Sequence, residues 1–395
     1  MSRIFVTGMG VISAIGDSVD TNRASLIQGK TGIGHSELLT TKYAGALPFG
    51  EIKISTQALK ENLDANEAGT TRTSLLALHA LEQAIRNSGL KASEINSPGT
   101  ALIGATTVGG MCLTDELYHD ANNRDAGSEY VNSYDCGSVN MYLWKRFHFG
   151  GIINTINTAC SSSANAIMYG ARLIRHGLAD RAIVGGVDSL AKFTINGFNS
   201  LHILSNGVCA PFDENRNGLN LGEGAGFLVL ETEECAVDKR VYAELSGFCN
   251  SNDAFHPSSL SENGDGPYIA MQGALQTANL SAGKIDFINA HGTGTENNDE
   301  VESRAMIRLF GKPPAFVSTK SYTGHTLGAA GAIEAIYSVL SLCNGELYPQ
   351  LNFTRPIGAT GLIPVASYQK KDMQHVMSNS FGFGGNCSSL IFSKT

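Results

Sequence analysis

Three residues sit where side chains tend to become reactive: Cys160, His291 and His325. Cys160 closes the strand-like run INTINTA and is followed by Ser161, Ser162 and Ser163 at the start of a helical pattern. A thiolate at a helix start meets the positive end of the helix dipole and free backbone N–H groups. The expected result is a lowered pKa and a nucleophile, with small neighbours that let a thioester approach. A cysteine elsewhere is usually a small buried hydrophobe, so the junction is what favours the reactive reading.

His291 opens the loop HGTGTENND after the apolar run IDFINA, and His325 lies in GHTLGAAG before an apolar helix. Histidines at strand ends among Gly and Thr are placed as catalytic groups tend to be, although each alone also fits a satisfied core residue. Together with one helix-start cysteine they make a nucleophile-plus-base set suited to acyl transfer. Lys320, shortly before His325, adds a cation. A Cys–His–His zinc site competes with this reading, weakened because no two ligands share one element at close spacing. GEGAG (Gly222–Gly226) leads into the strand FLVLE rather than a helix, so it cannot cradle a phosphate as a dinucleotide fingerprint does. TGMG (Thr7–Gly10) leaves that fingerprint incomplete, and no GxSxG nucleophile elbow occurs.

Short apolar runs must carry these groups: Ala101–Val108, Ile153–Ala159, Arg181–Val187 and Phe227–Glu231. Helical patterns separate them, including Ser74–Asn87, Ser138–Phe147 and Ser161–His176. This is α/β grammar with strands buried on both faces. ETEECAVDKR (Glu231–Arg240) reads as a charged surface connector, after which the same kinds of element recur. They are a strand at Val241–Asn250, a helix at Tyr268–Ala278, a strand at Ile285–Ala290, a helix at Glu300–Phe310, a strand at Phe316–Thr319 and a helix at Ala329–Cys343. Strands at Val376–Ser380 and Ser388–Ser393 close the chain around a glycine-rich turn. Two pseudo-repeated halves are expected, residues 1–235 with the cysteine and residues 236–395 with both histidines.

The 395 residues are 42% hydrophobic and 16% charged, a globular composition. A net charge of -8 disfavours a nucleic-acid binder. None of the eight cysteines forms a CxxC pair, no signal-peptide pattern opens the chain, and no apolar run is expected to span a membrane. A reduced cytoplasmic protein is expected.

The motifs, in order, resemble those of the elongating Cys–His–His β-ketoacyl-acyl-carrier-protein synthases of the thiolase-like superfamily. They are NTACSSS around Cys160, PFDENRNG (Pro211–Gly218) with GEGAG, SNDAFH (Ser251–His256), HGTGTENND, KSYTGHTLGAAG (Lys320–Gly331) and NSFGFGGNC (Asn379–Cys387). The resemblance spans nearly the whole chain. It implies a five-layer α-β-α-β-α fold, a homodimer and an acyl-carrier protein bearing phosphopantetheine-linked acyl and malonyl groups as partner, with no cofactor and no metal.

Position by position, Cys160 would carry the acyl chain, while His291 and His325 would bind the malonyl thioester and promote loss of carbon dioxide. Lys320 would support the second histidine and pair with Glu334. Thr293 and Thr295 would touch the pantetheine arm, and Phe383 would gate the nucleophile. Type II polyketide or aryl-polyene ketosynthases share these motifs. A thiolase is disfavoured by the paired histidine motifs, and a silent chain-length partner subunit by the presence of Cys160. The segment Phe193–Pro211 is short for this branch, and Asn217, Leu219 and Asn220 replace more usual residues, so the acyl chain is left open.

Overall fold

The computed structural model describes residues 3–395. Ten strands form one sheet: β1 (Ile4–Ser13), β2 (Thr100–Ala105), β3 (Ile153–Ile156), β4 (Arg181–Asp188), β5 (Gly224–Thr232), β6 (Ala243–Asn252), β7 (Phe287–Asn289), β8 (Ala315–Val317), β9 (His375–Phe381) and β10 (Asn386–Ser393). The principal helices are α1 (Arg72–Ser88), α2 (Gly137–Phe147), α3 (Ser162–Arg175), α4 (Lys192–Ser200), α5 (Asp265–Ala278), α6 (Glu296–Phe310) and α7 (Ala330–Asn344).

The strand order is β8-β7-β9-β10-β6-β1-β5-β4-β2-β3. Numbered within its own half, each set of five reads 3-2-4-5-1 inward from opposite edges. The pairing senses also repeat. β1 and β4 flank β5 antiparallel, and β2 runs parallel to both β4 and β3. In the second half β6 and β9 flank β10 antiparallel, and β7 runs parallel to both β9 and β8. Among the described residues the two five-stranded sheets join where Phe5 and Val6 of β1 pair with Glu244 and Ala243 of β6. The same elements in the same order therefore occur twice, as the sequence pattern suggested.

That narrow join lets the two five-stranded sheets splay and enclose a helical layer. α3 touches β4 and β2 of its own half and β10 of the other; α7 touches β9 of its own half and β5 of the other. α1 and α5 cover the outer faces, which makes five layers, α-β-α-β-α. α1 shows why such helices form. Thr71 caps its N-terminus by accepting from the Ser74 N–H, Gly89 ends it at φ 70°, and Leu75, Leu78 and Leu81 recur on its buried stripe.

α7 is buried from Ala330 through Leu342. The run Leu327–Asn344, 18 residues with mean hydropathy 1.3, is long and apolar enough to cross a membrane, contrary to the expectation that no run approached this. It is instead the central-layer helix, since 89% of it is buried inside the protein. Close packing of the layer depends on Gly331, where an added Cβ would lie 2.7 Å from the Ala164 nitrogen of α3.

Two further expectations change. α6 starts at Glu296 rather than Glu300, which brings Asp299 into its first turn. Glu231 is fully buried rather than part of a surface connector, because Arg181, Lys239 and the Thr7 hydroxyl all bond its carboxylate.

Candidate active site

The duplicated topology sets Cys160 and His325 at matching places, each before the helix that follows the third strand of its half. At the first turn Ala159 takes φ 54° and swings Cys160 out of β3. An alanine in the left-handed region costs roughly 1–3 kcal/mol and persists only where its surroundings fix it. The serines supply that restraint. The Ser162 hydroxyl accepts from the Thr158 N–H at 2.9 Å and donates to the Ala159 carbonyl at 2.5 Å. The Ser161 hydroxyl donates to the Thr158 carbonyl at 2.8 Å. The Ser163 hydroxyl accepts from the Ala332 N–H at 2.9 Å, tying α3 to α7. All three are fully buried, so they staple the turn rather than open a path for substrate.

At the second turn the Leu327 N–H donates to His325 Nδ1 at 3.2 Å, with Leu327 itself held at φ 51°. A neutral imidazole that accepts on Nδ1 carries its proton on Nε2. His291 is fixed in the same sense by Lys320. That ammonium lies 3.2 Å from His291 Nδ1, 2.5 Å from the His291 carbonyl and 2.5 Å from Glu334 Oε1, all buried. Lys320 thus pairs with Glu334 as the resemblance implied but supports the first histidine, not the second. The reason is geometric: the loop after β7 brings His291 over the lysine, whereas the Nδ1 of His325 is taken by its own backbone.

The two imidazoles stand 5.4 Å apart at 82°. Burial and the Lys320 ammonium hold both well below the usual histidine range, so both are neutral. The His325 Nε2 is buried without a hydrogen-bond partner among the described residues. A neutral N–H left in this way is a donor prepared for an incoming oxygen.

A cavity of about 510 Å³ collects Cys160, His291, His325, Thr293, Thr295 and Phe383 on its wall. Lys320 and Glu334 stand behind His291, outside it. The Thr293 and Thr295 hydroxyls bond one another at 2.8 Å. Phe383 stacks on Phe198 of α4 with ring centroids 5.8 Å apart, closing one side. Its backbone N–H supports a charge on the Cys160 sulfur. The approach of this loop requires Gly382, where a Cβ would lie 2.8 Å from the Thr158 carbonyl.

The lowered cysteine pKa expected from a helix start is not found. Burial pushes the Cys160 thiol up to about 11, against the opposing pull of Lys320 and of the Phe383 N–H. A raised thiol pKa means the thiolate fraction keeps growing with pH past neutrality. Alkylation of Cys160 by iodoacetamide is therefore expected to accelerate about tenfold per unit from pH 7 to 9. A plateau below pH 8 would show the helix start prevailing over burial.

Sequence reasoning missed the groups that hold the His291 loop. Glu302 of α6 accepts from the His291 and Gly292 N–H groups at 2.9 and 2.8 Å, and Asp299 accepts from the Thr293 N–H at 2.9 Å. Their signal was the three-residue spacing, which places both carboxylates on one helix face. Asn217 and Leu219, noted as departures, line the cavity, as do Phe198, Leu201, His202 and Ile203 from the short Phe193–Pro211 segment. Asn220 faces away and caps Cys209 by accepting from its N–H at 2.7 Å.

The Cys160, His291 and His325 ligand atoms lie within 4.8 Å of one another, close enough for a zinc ion by distance alone. The surroundings do not fit one. A zinc-bound histidine donates its second N–H to a carboxylate or carbonyl, whereas here both Nδ1 atoms face donors and Lys320 adds a positive charge.

Residues 1–236 match the family model "Beta-ketoacyl synthase, N-terminal domain", and residues 242–354 match "Beta-ketoacyl synthase, C-terminal domain". The 3-oxoacyl-[acyl-carrier-protein] synthase 2 of Vibrio cholerae is 34% identical over 413 residues, covering 99% of each chain. Among solved structures, the ishigamide ketosynthase/chain length factor superposes with a TM-score of 0.94 at 30% identity, covering 100% of this chain and 99% of that one. A ketosynthase (ApeO) in complex with its chain length factor (ApeC) from Xenorhabdus doucetiae superposes with a TM-score of 0.87 at 32% identity, covering 100% and 98%.

Proposed function

This chain belongs to the β-ketoacyl synthase family, and we propose that it carries out decarboxylative condensation in the elongation step of fatty-acid synthesis, with the following division of that chemistry among its residues. Residues 1–235 act as the unit that supplies the sulfur, and residues 236–395 as the unit that supplies both histidines. The observation that carries the proposal is the pair of neutral imidazoles with Nε2–H groups beside Cys160, that of His325 buried without a partner among the described residues.

The acyl group moves from the carrier's thiol to the Cys160 sulfur. The bond from the acyl carbon to the carrier sulfur breaks as the bond to Cys160 forms, and the thiol proton leaves on the carrier. The backbone N–H groups of Cys160 and Phe383 hold the negative oxygen of that intermediate. A malonyl thioester then binds with its carbonyl oxygen on His291 and His325. Loss of carbon dioxide leaves an enolate whose charge the two N–H groups stabilise. The enolate carbon attacks the acyl carbonyl, Cys160 departs and takes up a proton, and a 3-oxoacyl thioester two carbons longer is formed. Neutral histidines suit this step, since they donate to the enolate without protonating it.

The pantetheine arm passes Thr293 and Thr295, and Phe383 gates the sulfur. An acyl-carrier protein is the partner and the cytoplasm the compartment. A homodimer is supported by the unpaired outer edge of β3, with Val131, Met141 and Ile152 exposed nearby in sequence. Sedimentation at the monomer mass would refute it.

A second reading, a type II polyketide or aryl-polyene ketosynthase with a non-identical chain-length partner, is favoured by the likeness to the ishigamide ketosynthase/chain length factor and to ApeO in complex with its chain length factor. Acyl-carrier proteins of graded chain length, offered with malonyl-carrier protein, separate the two. Fatty-acid elongation predicts turnover of saturated chains by the chain alone. A requirement for a second subunit or for a polyene or polyketide starter would favour the alternative.

A further inference from the structure

Asp188, the last residue of β4, belongs to no motif singled out in the sequence, yet it is fully buried beneath the site. Its carboxylate accepts from the Thr106 hydroxyl at 2.6 Å, the Thr107 N–H at 2.9 Å, the Thr107 hydroxyl at 2.5 Å and the Val108 N–H at 2.9 Å. It also accepts from the Gly328 N–H at 2.7 Å. Among the described residues no cation pairs with it, so neutral donors from two separate loops satisfy the charge.

The Gly328 bond reaches the chemistry. Gly328 follows Leu327, the residue at φ 51° whose N–H sits on His325 Nδ1. A branched residue stays in that region only while its neighbours are pinned. On the other side the loop rests on the end of β2, through the same carboxylate.

We propose that Asp188 is the positioning residue for His325. By anchoring Gly328 it holds Leu327 left-handed, keeps the Leu327 N–H on Nδ1, and so commits the imidazole proton to the Nε2 facing the cavity. Asp188 touches neither substrate nor His325 and acts through the backbone between them. The inference rests on the assignment of His325 to the decarboxylation step.

Two variants test it from opposite sides. Asp188→Asn keeps the shape but turns one acceptor into a donor facing donors. Gly328→Ala keeps the carboxylate and inserts a Cβ 2.9 Å from its Oδ2 and 3.1 Å from the Thr107 nitrogen. Both should lower malonyl-carrier decarboxylation by on the order of 10²-fold, the usual consequence of a small misplacement of a catalytic group. Single-turnover acylation of Cys160 should stay within about threefold, because that step uses other donors.

In ¹⁵N-histidine spectra, with the His325 signals identified by their loss in His325→Ala, wild type should show one neutral Nε2–H tautomer. The variants should show a mixture, or a histidine that titrates near the ordinary range. Unchanged decarboxylation with an unchanged tautomer overturns the proposal, and so does an equal loss of acylation and decarboxylation. So does faster alkylation of Cys160 as the sole effect, which would mean that Asp188 acts only through its charge. If His325→Ala itself leaves decarboxylation intact, the role of His325 fails, and the tautomer spectra still decide whether Asp188 positions it. Should Asp188→Asn not fold, Gly328→Ala carries the same readouts.

Discussion

A Cys160→Ala protein is expected to form no 3-oxoacyl product while still folding and still releasing carbon dioxide from malonyl-carrier protein. The sulfur is the only atom of the side chain that the chemistry uses, and it lies in a cavity rather than a packed core. Its loss therefore removes the covalent intermediate without undermining the turn, which is held by Ser161, Ser162 and Ser163. Loss of a nucleophile from a covalent catalyst lowers turnover by on the order of 10⁶-fold, and condensation should fall by about that much. Decarboxylation should persist, since in the proposed division its negative oxygen rests on His291 and His325. Persisting condensation would mean that the enolate attacks the carrier-bound acyl group directly.

The second large effect is the reverse dissociation. His325→Ala is expected to slow malonyl decarboxylation by about 10²–10³-fold, or about 2.7–4 kcal/mol, the cost of deleting one donor to a developing oxyanion. Acylation of Cys160 should survive, because in the proposed mechanism its carbonyl is served by the backbone N–H groups of Cys160 and Phe383. The two variants thus divide one reaction into halves. The division follows from the duplicated fold, in which one half brings the sulfur and the other the imidazoles to adjacent turns. Equal rates of decarboxylation in wild type and variant would remove His325 from that step.

The fold was legible because its periodicities are strong. Every strand of the large sheet after β1 was visible as a short apolar run bounded by turn residues, and the apolar character of α3 and α7 marked a buried layer. The grouping of Cys160, His291 and His325 was legible too, since a cysteine at a helix start and two histidines in glycine-rich loops are unusual placements. What could not be read was the support. Asp188, Asp299 and Glu302 act by accepting backbone N–H groups from loops distant in sequence or bent in ways that only the fold decides. The histidine that Lys320 supports was misassigned for the same reason, because nearness to His325 in sequence says nothing of which imidazole lies over the ammonium. The raised Cys160 pKa reflects depth of burial, which a local pattern cannot report.

The central claim is that the growing chain rides on Cys160 and leaves it only by condensation. Mass spectrometry of the tryptic peptide 147–172, in which Cys160 is the sole cysteine, tests this most directly. After incubation with an acyl-carrier protein, the peptide should carry the acyl mass. Adding malonyl-carrier protein should clear that mass while a 3-oxoacyl thioester two carbons longer appears. Acyl mass on any other residue, or an acyl-Cys160 that persists while carbon dioxide is released, would contradict the account.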